Sequence, residues 1–151
     1  MTTNASIGHG NLFQIRDGSP LVWTTVAEVT NITPPAIARD AIDATHTESP
    51  DGWREFVPGL KDGGQVSIDL NFVPDSNSTD LLLGTFDNSA LLACRILFND
   101  GDQDSSPITA SVWSFSAICT GFAPEAPVDG KQAANATFKI SGKPTLVRAT
   151  A

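Results

Sequence analysis

Residues 65–72 alternate without a break: Val66, Ile68, Leu70 and Phe72 fall on one side, Ser67, Asp69 and Asn71 on the other. A period of two with one apolar and one polar side specifies a half-buried strand of an antiparallel sheet. The stretch before it is the opposite in character. Residues 45–64 carry Pro50, Pro58 and glycines at 52, 59, 63 and 64, which interrupt every candidate helix or strand there. An irregular loop of that length is uncommon in a compact domain and is usually functional or disordered. This one holds Trp53 and Phe56, aromatics that a disordered linker rarely carries. Anchors that their own segment has no means to bury need a surface elsewhere, and a second chain can supply it.

The remaining chain reads as further strands and one helix. Residues 7–17 open with a Gly-His-Gly bend and a short strand. Asp17 to Pro20 form a turn, and residues 21–33, rich in Val, Thr, Trp and Ile, return as the second strand of a hairpin ended by Pro34-Pro35. Residues 36–47 permit a strand or a helix, and the proline context favours the extended form. Ser76 or Ser78 can cap a helix running to about Asp87, with Asp80 in its first turn, Leu82 and Phe86 stacked at i, i+4 and Asn88 as its stop. Residues 91–98 are nearly all apolar and predict a strand covered on both faces. Strands follow at 108–121 and 132–141, separated by a loop at 124–130, and the tail from Gly142 is mostly polar. There is no internal repeat and no composition break, so residues 1–151 are expected to form a single domain.

The net charge of −8 argues against a nucleic-acid-binding protein, which needs a basic stripe, and against docking to anionic lipid. No basic segment and apolar run follow Met1, so no secretory signal is expected, and folding inside the cell is. Cys94 and Cys119 each lie in a strand-like run. Reduced, buried thiols are the expectation in a cytosolic protein, with a bridge between neighbouring strands left open. Asp100, Asp102 and Asp104 match the first spacings of a calcium loop, but Ser105 stands where its turn requires Gly and Ser111 where its bidentate Glu belongs. A solvated acidic turn is expected instead. His46, beside Thr47 and Glu48, has no convergent partner, and no nucleophile elbow, phosphate loop or dinucleotide fingerprint is present. Neither catalysis, a cofactor nor a metal is expected.

Several linked spacings bear on identity. They are Glu28-Val29-Thr30-Asn31-Ile32; Arg39-Asp40 followed by Asp43, Thr45 and His46; Ser49-Pro50-Asp51-Gly52-Trp53-Arg54-Glu55-Phe56; and Gly59-Leu60-Lys61-Asp62-Gly63-Gly64. Together with Gly8-His9-Gly10 upstream and Ser141-Gly142-Lys143-Pro144 downstream, this set resembles the major tail tube proteins of long-tailed, non-contractile phages, a family shared with gene transfer agents. The resemblance spans nearly the whole chain. It departs at Asn11, where Thr is frequent, and the extra C-terminal domain of some relatives is not expected.

The resemblance implies a mainly β fold, an antiparallel sandwich or barrel with one flanking helix. It implies hexameric rings stacked into a hollow tail tube that conducts DNA, assembled in the bacterial cytoplasm and resident in the virion tail. Tape-measure, tail terminator and baseplate proteins would be its other partners, and no membrane is involved. The 45–64 loop would then clasp neighbouring subunits or rings. Trp53 and Phe56 would anchor it, and Arg54, Glu55, Lys61 and Asp62 would fix register. A lumen poor in cations keeps a duplex mobile. Ser67, Asp69 and Asn71, with Thr137 and Ser141, are its candidate wall, although alternating polar residues also simply face bulk water; Lys139 is the exception on that face. The acids at 75, 80, 87, 100, 102 and 104 would sit outside or at a ring edge. A type VI secretion-like tube and a β-sandwich decoration or binding module are the alternatives.

Overall fold

The computed structural model describes residues 3, 5–17, 22–88 and 90–150. The strands, in chain order, are β1 (Leu12–Asp17), β2 (Val22–Thr25), β3 (Val29–Thr33), β4 (Ala38–Asp43), β5 (Phe56–Asp62), β6 (Gln65–Asn71), β7 (Leu92–Leu97), β8 (Val112–Glu125) and β9 (Ala133–Val147). One α-helix, α1 (Asn77–Asp87), lies between β6 and β7. Seven strands form one antiparallel sheet in the order β2-β1-β7-β8-β9-β6-β3, and β4 and β5 pair apart from it. No helix among the described residues is long and apolar enough to cross a membrane.

The sheet curls because its two edge strands are neighbours in sequence. Only residues 26–28 join β2 to β3. Within that link the Val26 amide donates to the Phe13 carbonyl on β1 at 2.9 Å, and the Glu28 carbonyl accepts from the Asn71 amide at the end of β6 at 3.0 Å. The two edges therefore lie close, and the inner face rolls towards a barrel. Phe13 of β1 and Phe138 of β9, three strands apart in the sheet, bring their rings to 5.4 Å. Phe13, Ile15, Val66, Ile68, Cys94, Ile96 and Phe138 are fully buried there. Each large side chain so enclosed contributes about 1.5–3 kcal/mol relative to exposure. This is the mainly β sandwich or barrel with a flanking helix that the sequence leads one to expect.

Helix α1 starts where its cap dictates. Ser76 is extended, and its hydroxyl accepts from the Thr79 amide at 3.2 Å. Leu82 turns into the core, while the Thr85 hydroxyl donates to the Leu82 carbonyl at 2.7 Å. The Ser78 hydroxyl accepts from the Ala27 amide at 2.8 Å and ties the helix to the link between the sheet edges.

Several expected boundaries are corrected. The single strand at 21–33 is two, broken at Glu28, whose φ of 62° lets the chain cross between edges. The turn expected from Asp17 to Pro20 falls, at 18–20, outside the described residues. Residues 45–64 are not wholly irregular, since β5 occupies 56–62. β8 begins at Val112 rather than 108 and runs past Pro124. β9 continues to Val147 and draws much of the expected tail into the sheet. Phe86 does not share the burial of Leu82 but stands 52 % exposed.

Candidate assembly surface

Strands β4 and β5 form an arm that its own domain leaves bare. Every residue of β4 is exposed, and of β5 only Gly59 is partly covered. The register pairs Asp43 with Phe56, Ile42 with Val57, Ala41 with Pro58, Arg39 with Lys61 and Ala38 with Asp62. Between Ala41 and Arg39 one residue, Asp40, faces two, Gly59 and Leu60, so β5 bulges there. Leu60 is left 86 % exposed. A Cβ on Gly59 would come to 3.0 Å from the Asp40 Cβ, a tight contact that the bulge avoids with a glycine.

The segment between the strands is a compact tip. A single 3-10 turn (Pro50–Gly52) is followed by Trp53, which is 75 % exposed. The Ser49 hydroxyl donates to the Glu55 carboxylate at 2.7 Å, and His46 Nε2 lies 3.6 Å from the same oxygen. Glu55 thus folds the tip back on itself, whereas Arg54 makes no ion pair among the described residues.

The base of the arm is pinned to the sheet. Asp62 accepts two hydrogen bonds from the Lys139 ammonium of β9, at 2.8 and 3.0 Å, and one from the Gly64 amide at 2.8 Å. The Lys139 ammonium and then the Gly64 N–H hold the Asp62 carboxyl below its ordinary range. Gly64 has φ of +78°, and a Cβ there would strike the Ala36 carbonyl oxygen at 2.2 Å. The Lys-Asp-Gly-Gly turn is therefore fixed by backbone geometry as well as charge.

The polar residues of β6 share the outer face of the main sheet with their neighbours. Ser67 pairs across to Thr137 and Thr33, and Asp69 to Asn135 and Asn31. The Asp69 carboxylate accepts from Asn135 Nδ2 at 2.7 Å and from Asn31 Nδ2 at 3.4 Å, so it is clamped between two amides. Asn71 Nδ2 donates to the Glu28 carboxylate at 2.9 Å. Ser141 is on the same strand as Thr137, opposite Ser116 and exposed. Lys139, the one cation in this part of the face, is the residue that Asp62 binds.

Elsewhere the chemistry is structural. The Asp100 carboxylate accepts from the Ser111 amide and hydroxyl, and the Asp102 carboxylate from the Asp104 and Ser105 amides. The acids of this turn hold their own backbone. Among the described residues no group of acids, histidines or cysteines has metal-binding geometry. Cys94 and Cys119 are both free thiols. An open groove of about 540 Å³ between residues 8–11 and 29–32 contains one titratable side chain, His9. The arm residues that sequence reasoning passed over are Ile37, Ile42, Val57 and Leu60, all exposed. The β-branched Ile42 and Val57, each in a short segment between prolines or glycines, were the available signal.

Residues 8–147 match the family model for the lambda phage tail tube protein, TTP. No curated protein matches in sequence. Among solved structures, the chain is similar to one from the tail of an empty gene transfer agent particle of C6 symmetry. The TM-score is 0.74 at 16% identity, covering 95% of this chain and 99% of that one. A chain of the native gene transfer agent virion gives 0.72 at 15%, with 95% and 99% covered. The SPP1 tail tube gives 0.71 at 7%, with 95% and 79% covered. Likeness at these identities shows a shared fold.

Proposed function

Because the chain belongs to the lambda phage tail tube protein family, matched over residues 8–147, we propose that six copies close into a ring and that rings stack into the hollow tail tube of a phage or gene transfer agent. It is a structural tail protein; no catalytic role or cofactor is assigned to it. Residues 1–151 act as one tube domain, made in the bacterial cytoplasm and carried in the virion tail. The tube conducts double-stranded DNA without binding it specifically. Its ends meet terminator and baseplate proteins, and its lumen forms around a tape-measure protein.

The bare arm carries this reading. A lone two-stranded ribbon is marginal in water, and here both of its faces are wet while apolar side chains project from it. Such a ribbon is completed by another subunit. Trp53 and Phe56 are the anchors and Arg54 and Lys61 supply register, while Glu55 and Asp62 shape the tip and base within the chain.

The test is electron microscopy of the purified protein in negative stain, which should show rings or hollow tubes. Trp53→Ala should keep the melting temperature of the subunit, since the ring touches little of its own domain. It should weaken each contact by ~2 kcal/mol, about 30-fold in affinity, and abolish tubes at ordinary concentration. A wild-type protein that stays monomeric at high concentration overturns the assembly. Normal tubes from Trp53→Ala remove that residue from the contact.

A further inference from the structure

We propose that the arm of one copy docks on the exposed face of α1 of a second copy, over Gly84; this rests on the assembly reading above. Helix α1 buries Ser78, Thr79, Leu82 and Thr85 and leaves Asp80, Leu83, Gly84, Phe86 and Asp87 outside. Positions 80, 83, 84 and 87 form one stripe along the helix, with Phe86 on its flank. The stripe combines two features that match the arm.

The first is charge. Asp80 and Asp87 make no ion pair among the described residues. On the arm, Arg39 and Lys61 are directly opposed cross-strand, an arrangement unfavourable unless an acid is brought to it. They share a face with Phe56 and with Asp43, the residue paired with Phe56, whose carboxylate accepts from the Thr45 amide. The arm therefore offers two cations beside an aromatic ring, and the helix offers two acids around Leu83 and Phe86. Another exposed apolar pair, Leu146 and Val147, is flanked in sequence by Lys143 and Arg148 and would repel the same face.

The second is shape. Glycine is among the poorest residues for a helix interior, yet a Cβ on Gly84 would meet nothing within 4 Å. Nothing among the described residues needs a glycine at that position. The gap it leaves between Asp80, Leu83 and Asp87 admits a side chain from outside, and Phe56, on the face of Arg39 and Lys61, is the arm's large apolar residue placed to meet it, since Ile42 and Val57 take the other face. Arm and helix are different surfaces of one chain, so the contact is heterologous. Each added copy presents a fresh arm and a fresh helix, which is what propagating or ring-closing assembly requires.

The experiment uses Gly84→Gln and Asp87→Lys. The first adds a good helix former on an open surface, and the second places a cation at a helix C-terminus, where it is favoured. Both variants should melt at or above the wild-type temperature, and both should fail to form tubes. Arg39→Glu with Lys61→Glu should likewise stay monomeric alone. An equimolar mixture of Gly84→Gln with the Arg39→Glu, Lys61→Glu variant should yield a discrete 1:1 complex by analytical ultracentrifugation, because one intact arm meets one intact helix and nothing can propagate. Tubes of normal appearance from Gly84→Gln, or no complex in the mixture while wild type assembles, overturn the docking site and leave the tube intact. A wild type that never assembles overturns both.

Discussion

At the scale of single residues, the two cysteines show how one residue type takes two environments. Cys94 lies on the inner face of β7, and burial, reinforced by the nearby Cys119, pushes its thiol up to about 12. Cys119 is raised by burial too, but it is only partly covered. The thiolate is the reactive form, so neither group reacts readily at pH 8. Labelling with a thiol reagent at that pH should modify Cys119 slowly and Cys94 only on unfolding, read as one then two equivalents by mass. Fast loss of both in the native protein would contradict the packing around β7. The sequence placed both cysteines in strands and expected reduced, buried thiols; both face inward, Cys94 opposite Phe115 and Cys119 opposite Phe138, but Cys119 stands beside the bulge before Gly121 and is the less covered.

At the scale of elements, what was legible divides along a physical line. Strand β6 and helix α1 announce themselves because their signals are local: an unbroken alternation in one, a serine cap with Asp80 in the first turn in the other. The arm was hidden because Pro58-Gly59 reads as a break, whereas in the structure it opens a bulge that keeps the pairing and shifts the faces. The same error shortened β9, where Gly142, Lys143 and Pro144 lie in a register shift between two paired segments. The split at Glu28 left no mark in the sequence, since its cause is the closing of the sheet. The arm also carries a pH prediction. Asp62 has a depressed carboxyl, so its bond to Lys139 contributes fully above the unfolded carboxylate value near 3.8 and is lost as pH falls through the lower folded value. In the isolated subunit, amide exchange at 38–43 and 56–62 should stay slow at neutral pH relative to Asp62→Asn. That difference should vanish as the medium is acidified below the carboxylate range. Equal exchange in both proteins at pH 7 would show that the arm is held by something other than its base.

At the scale of the whole molecule, the proposed lumen turns on which part of the sheet faces the channel. The other cations of the outer face, Arg16, Arg95 and Lys143, lie towards β1, β7 and β8, with Arg95 stacked over Trp23 at 4.2 Å. The half built by β9, β6 and β3 presents Ser67, Asp69, Asn71, Asn135 and Thr137; of the two lysines on β9, Lys139 is bound by Asp62, and Lys143 lies past Gly142 beside Ser114 and Ser116 of β8. That half suits a passing duplex, because each unneutralised cation adds a phosphate contact that must break before the DNA moves. Asp69 is a poor place to test this, since its two amide partners would be stranded by a substitution. Ser67 is better: it sits between Thr33 and Thr137 and makes no side-chain hydrogen bond among the described residues. In a ring with the C6 symmetry of the gene transfer agent tail, Ser67→Lys adds six charges at every layer. Hydrated lysines around a wide pore repel one another weakly at physiological salt, so tubes should form normally. DNA release should slow at low ionic strength and recover as salt is added. Release as fast as wild type at low salt would remove this face from the lumen, and failure to assemble would put Ser67 at a contact between subunits.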